Sequence, residues 1–264
     1  MKAFLGVTAL NVACVSGAIA ADMPAKVPMY TKAPMAAPAY SWTGFYVGVN
    51  AGYGWGNQAV NVSGDPNVIQ PTFLTPAGIS SVAGSPKGFI GGAQIGYNWQ
   101  TGQMVYGLEA DLDASHIASS QDIVFSTGGG TPRTVHGDQN LDWLGTFRAR
   151  LGYTPIDRVL FYATGGLAVG HASESANFTT NAGCAIGNCE FGSAAKTMAG
   201  WTAGAGLEYA LNRNWSVKGE YLYYRLGNIA STGLDTRFVP ANALFGNVQI
   251  SGSIVRIGLN YQFH

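Results

Sequence analysis

The stretch Trp42–Trp55 limits what the whole chain can fold into. From Phe45 onward its residues alternate. Phe45, Val47, Val49, Ala51, Tyr53 and Trp55 fall on one face, and Tyr46, Gly48, Asn50, Gly52 and Gly54 on the other. A period of two is a strand. The apolar face has aromatics at both ends, and the opposite face is small and polar rather than charged. A soluble sheet would bury the first face and show charges on the second. Aromatics at both ends of a segment of about 9–11 residues mark a strand that crosses a bilayer. Lipid forbids an open sheet edge, so the rest of the chain has to supply neighbours until the sheet closes. The Gly-x-Gly spacing is followed by no helical pattern and is not a nucleotide loop.

Composition fits that demand. Of 264 residues, 47% are hydrophobic, only 11% are charged, and 37 are Gly. Yet no apolar run of transmembrane-helix length follows the N-terminus, a mixture that suits alternating strands in lipid. The formal net charge of +0 gives no reason to expect a nucleic-acid partner. Residues 1–20 read as an export signal: Lys2, an apolar stretch from Ala3 to about Val15, and a small-x-small cleavage site at Ala18-Ile19-Ala20. Residues 21–40, with Pro24, Pro28, Pro34 and Pro38, read as an extended periplasmic leader. Residues 41–264 then form the barrel. Cys14 leaves with the signal, and Cys184 and Cys189 are expected to form a disulfide in an exported chain. They have no His or further Cys nearby to make a metal site.

The alternation recurs over Phe89–Trp99, Met104–Ser115, Trp143–Tyr153, Val159–Gly170, Trp201–Leu211, Trp215–Tyr224 and Val248–Phe263. The expectation is an all-β, eight-stranded antiparallel transmembrane barrel. Four long polar connections, Gly56–Pro86, Ile117–Asn140, Ala172–Lys196 and Gly227–Asn247, alternate with three short ones at Thr101-Gly102, Pro155-Ile156-Asp157 and Asn212-Arg213-Asn214. Long extracellular loops and short periplasmic turns have this asymmetry.

The inward phase of these strands carries Glu109, Asp111, Asp113, Arg148, Arg150, Glu208, Lys218, Glu220 and Arg256. An eight-stranded barrel is just filled by its side chains. An unpaired charge there would be costly to desolvate, so the nine read as an interlocked lumenal ion-pair network. A narrow ion pore is the alternative. His171-Ala172-Ser173 hints at a hydrolase, but the acid beside it, Glu174, points to the opposite face and nothing orients the imidazole. No catalytic residue is expected, and no metal. His116, His136 and His171 fall at or near the extracellular end, where imidazole and aromatics could take haemin, the one cofactor the residues suggest.

Three segments carry a resemblance: the opening Trp42-Thr43-Gly44-Phe45-Tyr46-Val47-Gly48, the run from Trp215 to Tyr224, and the close from Ile257 to Phe263. In these the chain resembles the small outer-membrane immunogenic proteins of the opacity-type surface antigen group, some of which are called haemin-binding. The resemblance implies a porin-family barrel in the outer membrane of a Gram-negative bacterium, serving as a structural and surface-antigen protein, with a narrow channel or haemin capture as alternatives. Expected partners are outer-membrane lipid and lipopolysaccharide, the assembly machinery that reads the last strand, and surface or host ligands through the loops. The expected state is a monomer or weak oligomer. Barrels of this kind usually end on an aromatic, whereas here His264 follows Phe263.

Overall fold

A computed structural model describes residues 40–56, 58–64, 81–126, 132–180, 190–235 and 242–264. Cys184, Cys189, the export signal and residues 21–39 of the leader lie outside the described residues.

The strands in chain order are β1 Gly44–Trp55, β2 Gln58–Gly64, β3 Ser81–Gly84, β4 Lys87–Thr101, β5 Met104–Ser126, β6 Pro132–Ile156, β7 Val159–Thr180, β8 Glu190–Ala210, β9 Trp215–Asp235 and β10 Asn242–Phe263. All neighbouring pairs in the ring are antiparallel, in the order β1-β4-β5-β6-β7-β8-β9-β10. Closure is between the first and last strands, from Phe45 opposite Phe263 to Trp55 opposite Ser253. These eight staves are the ones the period-two pattern predicts, and each is paired on both sides, which is what lipid demands. The turns at one end are short: Thr101 pairs with Met104, and Ile156 with Val159.

The bounds expected for the four long connections need correction. The staves run well past the membrane. β5 reaches Ser126 rather than Ser115, and β6 is 25 residues long and begins at Pro132 rather than Trp143. β7, β8, β9 and β10 likewise extend through most of the segments read as loops. The first connection holds β2 and β3, which pair with each other, and β2 pairs with β10 above the point where β1 ends. A hydrogen bond of 2.9 Å from Gly56 N–H to the Pro86 carbonyl ties β1 to β4 at that step. β2 and β3 thus continue the staves of β1 and β4.

The result is a barrel of two storeys with opposite polarity. In the lower storey the outward residues are apolar and exposed, among them Val49, Ile95, Leu108, Phe147, Leu167, Leu207 and Ile257. Aromatic pairs sit at its two rims: Phe45 with Phe263 and Trp215 with Tyr261 at one, Tyr53 with Phe89 and Trp201 with Tyr223 at the other. These are the girdles of a membrane-spanning barrel. In the upper storey the outward residues turn polar: Ser120 pairs with Asp138, and Asp138 with Ser175. Its inward residues turn apolar, with Ile117, Leu141, Ala172, Met198, Leu226, Ile229 and Ile250 packed as one cluster. Register shifts lie near this change of polarity, between Ala114 and Ile117 on β5, Leu141 and Trp143 on β6, and Gln249 and Ser251 on β10. An extra residue in a strand adds twist; on β6 it also moves the inward phase from Leu144 to Leu141, while β5 stays in phase from Asp113 through Ile117 to Ser119.

Candidate functional site

The lumen of the lower storey gathers all nine charged residues that the inward phase predicts. Three of the ladders set opposite charges face to face: Glu109 with Arg148, Glu208 with Lys218, and Glu220 with Arg256. Such cross-strand pairs are the unit of sheet stabilisation. The lumen is narrow enough for further contacts across it. Lys218 Nζ donates to both oxygens of Glu109 at 2.9 Å. Arg148 bonds Glu109, Asp111 at 2.6 Å and Glu220 at 3.0 Å. Arg256 reaches Glu220 at 2.8 Å, Asp113 at 2.9 Å and Asp111 at 3.0 Å. Arg150 donates to Glu208 at 2.7 Å and lies 3.9 Å from the centroid of the Tyr162 ring. These side chains are almost wholly buried, Arg148 being 0% exposed.

Neutral groups complete the network. The Tyr46 hydroxyl donates to Glu109 at 2.6 Å, Thr146 to Asp111 at 2.8 Å, Ser216 to Glu208 at 2.5 Å and Asn260 to Glu208 at 2.7 Å. The inward glycines make the space. A Cβ on Gly92 would collide with the Leu112 carbonyl and the Asp113 carboxylate, so this position admits no side chain beside the network.

Apolar layers close the network on both sides. Toward the outside stand Ile90, Leu144, Ala168, Leu222, Tyr224 and Ile254, continuous with the upper-storey cluster. Toward the periplasm stand Trp42, Val105, Leu160, Tyr162 and Ala210, with Tyr40 packed against them. Trp42 is 1% exposed and precedes β1. Its backbone N–H donates to Gln100 Oε1 at 2.7 Å, and Tyr40 is edge-on to its indole at a centroid distance of 4.8 Å. The Tyr40 backbone N–H donates to Asp157 at 2.9 Å and its hydroxyl to Gln262 at 2.9 Å. Burial, with Glu208 nearby, pushes the Tyr40 phenol up to about 12. This cork was not part of the sequence reading, although parity carried the signal: Trp42 is in phase with inward Tyr46 and Asn50.

The three histidines are not gathered at one point. His116 is exposed on the outward phase of β5. His171 is opposite Trp143 on β7, its Nδ1 3.0 Å from Thr197 Oγ1 and its Nε2 3.8 Å from Asp142. His136 is opposite Asn177, six residues farther along β7, or about 20 Å up the strand at about 3.3 Å per residue. There it bridges Asp122 on one ring nitrogen and Asp138, at 3.2 Å, on the other. Those two carboxylates, the first above all, hold its pKa above the ordinary 6.5. Among the described residues no cluster of three His, Cys, Asp or Glu side chains could hold a metal ion.

The sequence matches the family described as Outer membrane protein beta-barrel domain over residues 27–263. The chain belongs to this outer-membrane β-barrel family. Its place is therefore the outer membrane of a Gram-negative cell, and the aromatic girdles mark the lipid boundary of a family member. This outer-membrane β-barrel protein is 37% identical to the 31 kDa outer-membrane immunogenic protein of Brucella melitensis biotype 1, over 94% of each chain. It is 28% identical to the 25 kDa outer-membrane immunogenic protein of Brucella abortus biovar 1, over 100% of this chain and 99% of that one. It is 33% identical to a 22 kDa outer membrane protein of Rhizobium leguminosarum bv. viciae, over 70% of this chain and 65% of that one.

Proposed function

We propose that this outer-membrane β-barrel protein is a structural, surface-presenting protein with a sealed lumen, not a channel. The observation that carries the reading is the stack of three closed layers: Trp42 and its neighbours, the buried ion-pair network, and the apolar layer under the upper storey. A hydrated ion entering from outside would first have to shed its water among Leu144, Leu222 and Ile254, and apolar constrictions oppose conduction by dewetting. It would then meet arginines already engaged by carboxylates. The upper storey gives the protein its outward business. Polar strand surface stands above the lipid, and immunogenic relatives at 37% identity support a surface-antigen role.

The test is single-channel recording of the detergent-folded protein in planar bilayers. No steady conductance is expected. A stable open level would overturn the sealed reading and leave a narrow pore in its place. A haemin titration read at the Soret band, with His116→Ala and His171→Ala alongside, checks the remaining alternative. The separation of the histidines supports an outcome of non-saturating uptake, equal in all three proteins.

A further inference from the structure

Arg225, Asn228 and Gln249 form a small cluster on the outer wall of the barrel, where the two storeys meet. Arg225 is opposite Trp201 on β8, and Trp201 pairs with Tyr223 in the outer girdle. Tyr223 is the preceding outward residue of β9, so Arg225 stands one step beyond the girdle, at the depth where lipid headgroups begin. A strand of regular period would put residues 225 and 228 on opposite faces. Here two residues of β9, Leu226 and Gly227, oppose the single Ile250 of β10, between Arg225 opposite Ser251 and Asn228 opposite Gln249. The bulge turns Asn228 back to the outside. Arg225, Asn228 and Gln249 are all exposed, while Leu226, Ile229 and Ile250 stay buried.

The arginine sets the polarity of the whole cluster. A guanidinium has donors and no acceptor. Arg225 donates to Gln249 Oε1 at 2.7 Å, and the Gln249 amide nitrogen in turn donates to Asn228 Oδ1 at 3.4 Å. Both amide oxygens are thereby engaged. The N–H groups left over, on Arg225 and Asn228, have no acceptor beside them among the described residues, and the cluster carries a single positive charge. Elsewhere on the outer wall the pattern differs: Asp142 on β6 lies 3.8 Å from His171 on β7, so that imidazole has a carboxylate of its own.

We propose that Arg225, Asn228 and Gln249 form a binding site for a lipid phosphate, that of the lipopolysaccharide in the outer leaflet. A positively charged set of donors whose own oxygens are engaged is what a phosphate takes. Guanidinium–phosphate bonds are charge-assisted and often bidentate, and they are stronger beside lipid than in bulk water because the local dielectric is lower. The Gln249 carbonyl holds the guanidinium in place, and the Asn228 amide adds neutral donors beside it. A lipid phosphate has a further advantage over a soluble one. Its acyl chains lie against the apolar wall, so the headgroup meets the cluster at high effective concentration.

The experiment folds the full chain into detergent micelles, titrates it with lipid A, and reads the bound lipid by native mass spectrometry. Lipid A with its phosphates and lipid A stripped of them are the two probes. The wild type should bind the phosphorylated form saturably. Arg225→Gln should weaken that affinity by about tenfold, the loss of one charge-assisted contact. Asn228→Asp, which sets a carboxylate against the phosphate, should weaken it at least as much. Arg213→Gln, in the exposed turn between β8 and β9 at the periplasmic end, should leave it unchanged. The substituted residues are exposed, and the gel mobility of unboiled protein verifies that each variant folds. The stripped lipid should bind weakly and alike in all four proteins, and millimolar inorganic phosphate should not displace the phosphorylated one. Equal affinity in the wild type and Arg225→Gln would overturn the proposal, as would wild-type binding of the stripped lipid as tight as that of the phosphorylated form. An equal loss in Arg213→Gln would replace the site by general charge attraction, and displacement by inorganic phosphate would replace the lipid by a free anion; either result overturns it too.

Discussion

Replacing Arg256 by Met removes the guanidinium that joins β10 to three carboxylates and leaves a side chain of similar length. The native contacts are Glu220 at 2.8 Å, Asp113 at 2.9 Å and Asp111 at 3.0 Å, and the side chain is 1% exposed. At an effective dielectric near 20, one contact of about 3 Å is worth about 5 kcal/mol gross. Three such contacts on one cation do not add, because desolvating each ion costs several kcal/mol in return. What remains is the penalty of stranding carboxylates in a closed lumen, about 3–5 kcal/mol for a broken buried pair. Arg256→Lys keeps the charge but loses the fork that serves three acceptors at once, so its cost should fall between wild type and Met. The assay is equilibrium unfolding in urea from detergent micelles, followed by the gel mobility difference between folded and boiled protein. A loss below about 1 kcal/mol for Arg256→Met, the range of exposed ion pairs, would refute the reasoning. It would mean that bulk water reaches the network.

Three further outcomes follow from other parts of the fold. Trp42→Ala should lower stability by about 3–5 kcal/mol through loss of a buried aromatic, with Trp42→Phe milder; an unchanged urea midpoint would show that the cork is not seated in solution. His136, whose pKa is raised chiefly by its hydrogen bond to Asp122, should titrate above 6.5 by NMR and move back toward that value in Asp122→Asn. Its folded pKa is the raised one, so its stabilising contact is complete below the ordinary histidine value and is lost as the pH climbs through the raised value; a titration unmoved by Asp122→Asn would contradict the bridge. Among the described residues Arg158 is the non-glycine residue with positive φ, 69°, in the two-residue turn between Ile156 and Val159. Arg158→Gly should stabilise by on the order of 1 kcal/mol, since it relieves left-handed strain and puts Gly at the second central position, where the turn needs positive φ; a lower midpoint would refute the strain argument.

The lower storey was legible because both solvents it meets act on alternate residues. Lipid outside selected Phe147, Leu151 and Ile257, the lumen inside selected Arg148, Arg150 and Arg256, and a period of two separates them without ambiguity. The same parity placed all nine lumenal charges. The upper storey was misread as loop for a physical reason. Its outward residues, such as Ser120, Asp138 and Ser175, meet water and have the composition of a loop, while its inward apolar residues belong to a soluble type of core. The extra residue near Leu141–Trp143 also shifts the phase of β6, so an alternation carried upward from Phe147 breaks where the storey begins, whereas that of β5 runs on unbroken from Leu112 to Ser120. The cluster of Arg225, Asn228 and Gln249 could not be read from sequence at all. Parity sets residues 225 and 228 on opposite faces, and only the bulge opposite Ile250 brings them together.

The polarity reversal between storeys bears on what an antibody meets. Ser120, Asp138 and Ser175 come from three separate stretches of the chain and lie side by side only because β5, β6 and β7 remain paired there. On the proposed surface-antigen role, a surface of this kind is a discontinuous epitope. Sera raised against the folded protein should therefore bind it well and bind overlapping linear peptides of the same region poorly, and a vaccine fragment cut to a single connection would present the wrong surface.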